Sequence, residues 1–184
     1  MKTPLVALLM LGMLALATGP VNAQVFQDGP YYATPSWDQQ LPSSTRFIVL
    51  TNWASAAVLD RETGLVWERT PASTTFNWLD AIFNCRAQLV GDRRGWRLPS
   101  YEELTSLLDA TQSNPALPAG QPFLGIGASS VFWTSSTDES DESAAWIVQI
   151  ASATTNTTAT KNLPANLFRS WCVRTGSSVT NPPY

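Results

Sequence analysis

The spacing of hydrophobic and polar positions changes several times along this chain. From Pro4 to Ala17 there is no alternation: Leu, Ala and Met follow one another almost unbroken behind Lys2. Gly19 and Pro20 then break the run, and Val21-Asn22-Ala23 sets small residues where a signal peptidase reads. This pattern predicts a secretory leader over residues 1–23. The apolar run falls short of the roughly 20 residues that a spanning helix needs. Gln24, not a cysteine, follows the cut, so no lipid anchor is expected there. No later segment is apolar enough to cross a bilayer.

Residues 24–43 show no periodicity, carry Gly29, Pro30, Pro35 and Pro42, and read as a loose N-terminal segment. Tyr31, Tyr32 and Trp37 suggest that part of it lies against the domain. The pattern tightens afterwards. Arg46 to Thr51 and Ala56 to Leu59 read as strands, and the turn Asp60–Gly64 leads into a third at Leu65-Val66-Trp67. Helical spacing follows. Trp78, Ala81, Ile82, Cys85 and Leu89 form one apolar stripe behind an Asn77 N-cap, with Asp80 at N3 and a stop at Gly91. A second helix opens on the capping box Ser100-Tyr101-Glu102-Glu103 and buries Leu104, Leu107 and Leu108. Asn114, Pro115, Pro118 and Gly120 break the pattern into a long loop, of a kind that is often functional.

The last third reads as strands. Val131–Thr134 is one. Ala144–Ile150 is another, with Trp146 and Val148 on one face and Ile147 on the other. Phe168–Val173 is the last. An acidic turn, Asp138–Glu142, and a Thr-rich low-complexity stretch, Thr154–Thr160, lie between them, and residues 177–184 read as a flexible tail. Two adjacent helices within a set of strands give an α+β domain over residues 44–176.

Composition narrows the chemistry. Fourteen acidic residues face eleven basic ones, a formal charge of −3, which argues against bulk-charge binding of nucleic acid. There is no histidine. Ser-His-Asp and Cys-His nucleophiles and imidazole zinc sites are therefore excluded. Cys85 and Cys172 are the two cysteines. In an exported protein such a pair is expected to close as a structural bridge, and a loop of that length is worth roughly 4–5 kcal/mol.

Several short motifs occur in a fixed order. They are Asp60-x-x-Thr63-Gly64-Leu65-Val66-Trp67, Trp78-x-x-Ala81-x-x-x-Cys85, Trp96-Arg97-Leu98-Pro99 with Ser100, Glu103 and Leu104, Phe132-Trp133-Thr134-Ser135-Ser136, Ala145-Trp146 and Cys172-Val173-Arg174. Over residues 58–175 this set resembles the Legionella collagen-like protein C-terminal domain family, long described as a domain of unknown function. The resemblance implies a C-type-lectin-like fold related to the formylglycine-generating-enzyme type. In that fold the first and last strands pair, and a long loop region carries the ligand. Members occur in exported bacterial proteins, and the namesake is a surface adhesin that recognises sulfated polysaccharides. The present chain has no collagen-like repeat. The redox-active cysteine pair of the formylglycine-generating enzymes is not carried over, because both cysteines stand where this family places a structural bridge.

Each candidate site has a structural alternative. Trp67, Trp78, Trp96, Trp133, Trp146 and Trp171 could stack on sugars, but indoles beside small apolar residues are expected in the core. Tyr101 and Tyr184 are candidates for exposed aromatics. Arg86, Arg93, Arg94 and Arg97 cluster near the end of the first helix and suit sulfate or carboxylate. Alternatively, Arg86 complements the helix end and Arg97 pairs with a carboxylate such as Glu102. Arg93 and Arg94 are the candidate polyanion patch. Asp138, Glu139, Asp141 and Glu142 are weak candidates for Ca²⁺, which wants six to eight oxygen ligands. Glu102 and Glu103 are adjacent and do not resemble a glycosidase pair. Asn156-Thr157-Thr158 matches a glycosylation acceptor that is silent in a bacterial protein.

The expectation is a secreted, non-catalytic, adhesin-like domain that binds a polysaccharide or another surface component without a cofactor. The alternatives are an interaction module for an envelope protein, with Thr154–Thr160 as its contact, and a carboxylate-dependent hydrolase.

Overall fold

A computed structural model describes residues 41–153 and 156–176. The predicted leader over residues 1–23, residues 24–40 of the segment expected to be loose, Thr154, Thr155 and the predicted tail over residues 177–184 lie outside the described residues. The strands form two sheets. The first has β1 (Phe47–Val49), β2 (Ala57–Asp60), β3 (Leu65–Glu68) and β9 (Val173–Thr175) in the order β1-β2-β3-β9, all antiparallel. The second has β4 (Thr75–Phe76), β5 (Val131–Thr137), β6 (Ala144–Gln149), β7 (Asn156–Thr160) and β8 (Phe168–Arg169) in the order β4-β8-β5-β6-β7. Only the β5–β8 pairing is parallel. The helices are α1 (Ser43–Arg46), α2 (Trp78–Ala87) and α3 (Tyr101–Thr105). The class is α+β. The last strand, β9, pairs with β3, and β1 lies at the opposite edge of that sheet.

Strand residues point alternately to opposite faces, and here both faces of each sheet are covered. Phe47, Val58, Leu65, Trp67 and Val173 of the first sheet meet Phe132, Val148, Trp171 and the three leucines that follow the capping box in one core. The intervening residues Ala57 and Val66 join Trp133, Ala145, Ile147, Trp96, Ala81 and the disulfide in a second core. Ile147 and Val148 thus sit in different cores, as the alternation along that segment requires.

Both predicted caps form. The Asn77 side chain accepts from the Asp80 amide at 2.8 Å, and Ser100 and Glu103 make the reciprocal box. α2 is shorter than its apolar stripe suggested. It ends at Ala87, and Leu89 is 51% exposed. The chain turns away there through a 3-10 turn, Val90–Asp92. Arg46 is not a strand residue: it closes the single turn of α1 and is buried. It binds Asp60 through Nε at 2.9 Å and Nη2 at 2.8 Å, with Glu62 at 3.2 Å. A buried cation needs such partners, because desolvation alone would exceed its Coulombic gain.

Three further readings change. Within the Thr-rich stretch, Asn156–Thr160 is a regular strand, β7, paired with β6 along its whole length. The long loop after α3 is packed down: Ala116, Leu117 and Phe123 are buried, and the Ala116 amide donates to Ile150 O at 2.7 Å. The predicted final strand is two, β8 in the second sheet and β9 in the first, joined by Ser170-Trp171-Cys172.

That crossing is where the sheets are fastened. Trp171 faces the first core and Cys172 the second, and Cys172 is bonded to Cys85 of α2. Glu68 holds the crossing from β3. Its amide donates to Cys172 O at 3.0 Å, its carboxylate accepts from the Cys172 amide at 3.2 Å, and its carbonyl accepts from the Trp171 indole at 2.9 Å. Burial raises the Glu68 pKa to about 7, partly offset by the Cys172 hydrogen bond.

A raised carboxylate keeps its proton in the folded state at pH values where the unfolded chain has lost it. Stability therefore falls as pH rises from the unfolded value towards and through 7, by roughly 3 kcal/mol in all. Glu68→Gln keeps an acceptor and removes the charge. Its melting temperature should fall less than that of the parent between pH 5 and pH 8, and equal falls in the two proteins would refute this reading.

Candidate functional site

The two ends of the first sheet's outer segments meet around one indole. Trp53 lies in the 3-10 turn Thr51–Trp53 between β1 and β2 and is half-buried. Its ring meets the buried Trp96 edge-on, with centroids 6.5 Å apart. The Arg93 guanidinium stands 5.5 Å from the Trp53 ring centroid, and that of Arg174, from β9, stands 5.3 Å from it. The register explains why Arg174 arrives here. It is opposite Val66, on the face of β9 that looks towards the second core.

The chain that carries Arg93 is fixed from below. The Trp96 indole donates to Arg93 O at 2.8 Å, and the Arg93 amide donates to Val90 O at 3.2 Å. Gly91 has φ of +62°, and a Cβ there would lie 2.6 Å from Trp53 Cβ. Only glycine permits this approach of the 90–92 turn to the indole.

Electrostatics mark the place further. The Arg174 pKa is lowered, first by burial and then by repulsion from Arg93. Two like charges are held on one ring, with exposed Arg94 beside them in sequence. Asp92 is the carboxylate nearest in sequence. A guanidinium over an indole gains cation–π attraction, and that of exposed Arg93 still presents donors suited to sulfate or carboxylate oxygens.

The other predicted candidates fall elsewhere. Arg86 is exposed in the last turn of α2, where a cation complements the helix end. Arg97 is committed to Glu103, not to Glu102, through two contacts of 2.6 Å. Burial alone would raise the Glu103 carboxyl, but Arg97 and the Ser100 amide hold it below its ordinary value. Glu103 thus caps α3 and fixes the Arg97-Leu98-Pro99 segment at once. Trp67, Trp96, Trp133 and Trp171 are fully buried. Trp78 and Trp146 are half-buried at the core margins. The Trp78 indole donates to Thr134 O at 2.8 Å, and Lys161 lies 4.4 Å from its ring. Trp146 packs on Tyr101, with centroids 5.2 Å apart.

In the acidic turn, Asp138 accepts from the Ser140 amide and hydroxyl, and Asp141 accepts from those of Ser143. Among the described residues no three acidic or cysteine side chains converge to hold a metal ion, the Asp138, Asp141 and Glu142 set included. Trp53 and Arg174 were not singled out as site residues from the sequence. Arg174 stands at the end of the Cys172-Val173-Arg174 motif, but only strand register shows which way it faces.

The Gly91–Trp53 contact gives a direct test. Gly91→Ala should cost roughly 1–3 kcal/mol from the left-handed backbone alone, with displacement of Trp53 added. Gly95→Ala meets a comparable φ of +86° but no atom within 4 Å, so it should cost less. Denaturant unfolding of the two variants measures the difference, and equal losses would show that the contact is not tight.

The comparisons with known proteins agree with the motif order. The family model of the Lcl C-terminal domain matches residues 56–174, a span that contains the second sheet, the disulfide, and both Arg93 and Arg174, while β1 and Trp53 precede it. No curated protein and no solved structure matches the chain. With most of its length matched, the chain belongs to the Lcl C-terminal domain family.

Proposed function

We propose that this protein is an exported, non-catalytic binding domain. Its ligand is a polyanionic glycan of a cell or host surface, held at Arg93, Arg94 and Arg174 around Trp53. The observation that supports this most is the placing of two guanidinium groups on one indole ring, 5.5 and 5.3 Å from its centroid, where like charges repel. Such repulsion is relieved when an anion sits between the charges. The adhesin-like behaviour implied by the family resemblance points the same way. The protein as a whole is acidic, so attraction is confined to this patch, and binding should be short-ranged and salt-sensitive.

Retention on an immobilised sulfated polysaccharide tests this. The parent protein should be retained at low salt and released as salt rises. Arg93→Ala/Arg94→Ala should elute clearly earlier, and Arg86→Ala, outside the Trp53 cluster, should elute with the parent. Unchanged retention of the double variant would overturn the assignment. Shortening of the polysaccharide chain on incubation would overturn the non-catalytic part of it.

A further inference from the structure

The edges of the two sheets are unequal. β4 has two residues, and β1 and β9 have three each. The outer side of β9 is met by Arg97, which exchanges two backbone hydrogen bonds with Val173 at 2.8 and 2.9 Å. β7 is different. Among the described residues it is a five-residue edge strand, in unbroken register with β6 from Asn156↔Val148 to Thr160↔Ala144, and the Asn166 side chain donates to its last carbonyl, Thr160 O, at 3.1 Å. Its sequence, Asn-Thr-Thr-Ala-Thr, contains no charge and no proline, and the pairing has no bulge. Those are the devices by which sheet edges are normally kept from pairing with other chains.

One end of this edge is strongly acidic. The turn Asp138–Glu142 joins β5 to β6 beside β7, and the β6–β7 ladder continues past the strand end, where the Lys161 amide donates to Ser143 O at 2.9 Å. The Asp138 carboxylate is held low chiefly by the Ser140 amide and hydroxyl, and it accepts from the Thr158 hydroxyl as well. Glu139, Asp141 and Glu142 are exposed. The cation at this end among the described residues, Lys161, is tied to Thr137 Oγ1 at 2.9 Å and Glu142 O at 2.8 Å.

We propose that the outer edge of β7 docks an extended, basic segment of a partner polypeptide by strand addition, with the Asp138–Glu142 turn selecting its charge. Backbone hydrogen bonds supply the attachment in this mode, and the flanking side chains supply the choice of partner. The surface lies in the second sheet, whereas the arginine cluster belongs to the first. A second copy of this chain would bring another acidic turn with it, so a basic partner fits better.

The test uses two short synthetic peptides, one alternating Lys and Val and one alternating Glu and Val. Binding is read by titration calorimetry, and the place of binding by amide hydrogen exchange. The basic peptide should bind saturably and slow exchange at Thr157–Thr160, with the acidic peptide at least about tenfold weaker, the scale expected when like charges oppose at an interface. Thr158→Pro should remove the protection. Because that change could unfold the sheet, the exposed variant Glu139→Lys/Asp141→Lys/Glu142→Lys is the second arm and should reverse the preference. Absence of protection on β7, protection elsewhere alone, or equal binding of both peptides would overturn the proposal.

Discussion

The fold depends on how three consecutive residues, Ser170, Trp171 and Cys172, pass from one sheet to the other. Neighbouring side chains in an extended segment must point in opposite directions. Trp171 therefore enters one core and Cys172 the other, and neither core can form fully without this passage. Glu68 grips two of the three residues, Trp171 through its carbonyl and Cys172 through its amide and its carboxyl. The disulfide adds α2 to the junction, with Cα atoms 5.3 Å apart and both sulfurs buried. Two sheets, a helix and two cores thus share one short stretch of chain.

The arginine cluster is a product of that junction. β9 begins right after Cys172, and its register places Arg174 beside Trp53. On the other side, α2 stops early, so the chain can turn through Gly91 and bring Arg93 to the same ring. The elements that stabilise the domain also set the separation of its charges. Arg46 is enclosed with Asp60 and Glu62, and Arg97 is paired with Glu103, so neither is offered to a ligand.

Much of the fold is legible in the sequence because the signals are local. A cap is made by residues three apart, and both caps were placed correctly. Hairpin strands around Asp60–Gly64 and the core leucines after Ser100 follow from periodicity. The errors fall where distant contacts decide. Leu89 continues the apolar stripe of α2, yet Gly91 and Trp53 pull the chain off the helix. The Thr-rich stretch resembles low complexity, but threonine is β-branched and β6 offers it a partner. Phe168–Val173 has the composition of one strand, and nothing local reveals that it serves two sheets. The candidate site was half legible for the same reason. Arg93 and Arg94 stand out as a charge cluster, while Trp53 and Arg174 join them only through tertiary register.

The position of the disulfide in the topology has one more consequence. Cys85 and Cys172 enclose the chain from the end of α2 to the start of β9, and within that span lie the packed-down loop, the acidic turn and the β6–β7 connection. A single cleavage anywhere in this region cannot release a fragment: the two pieces stay joined through sulfur and remain interleaved in both cores. A nicked molecule is still one molecule, and it can keep its arginine cluster assembled after its backbone has been cut.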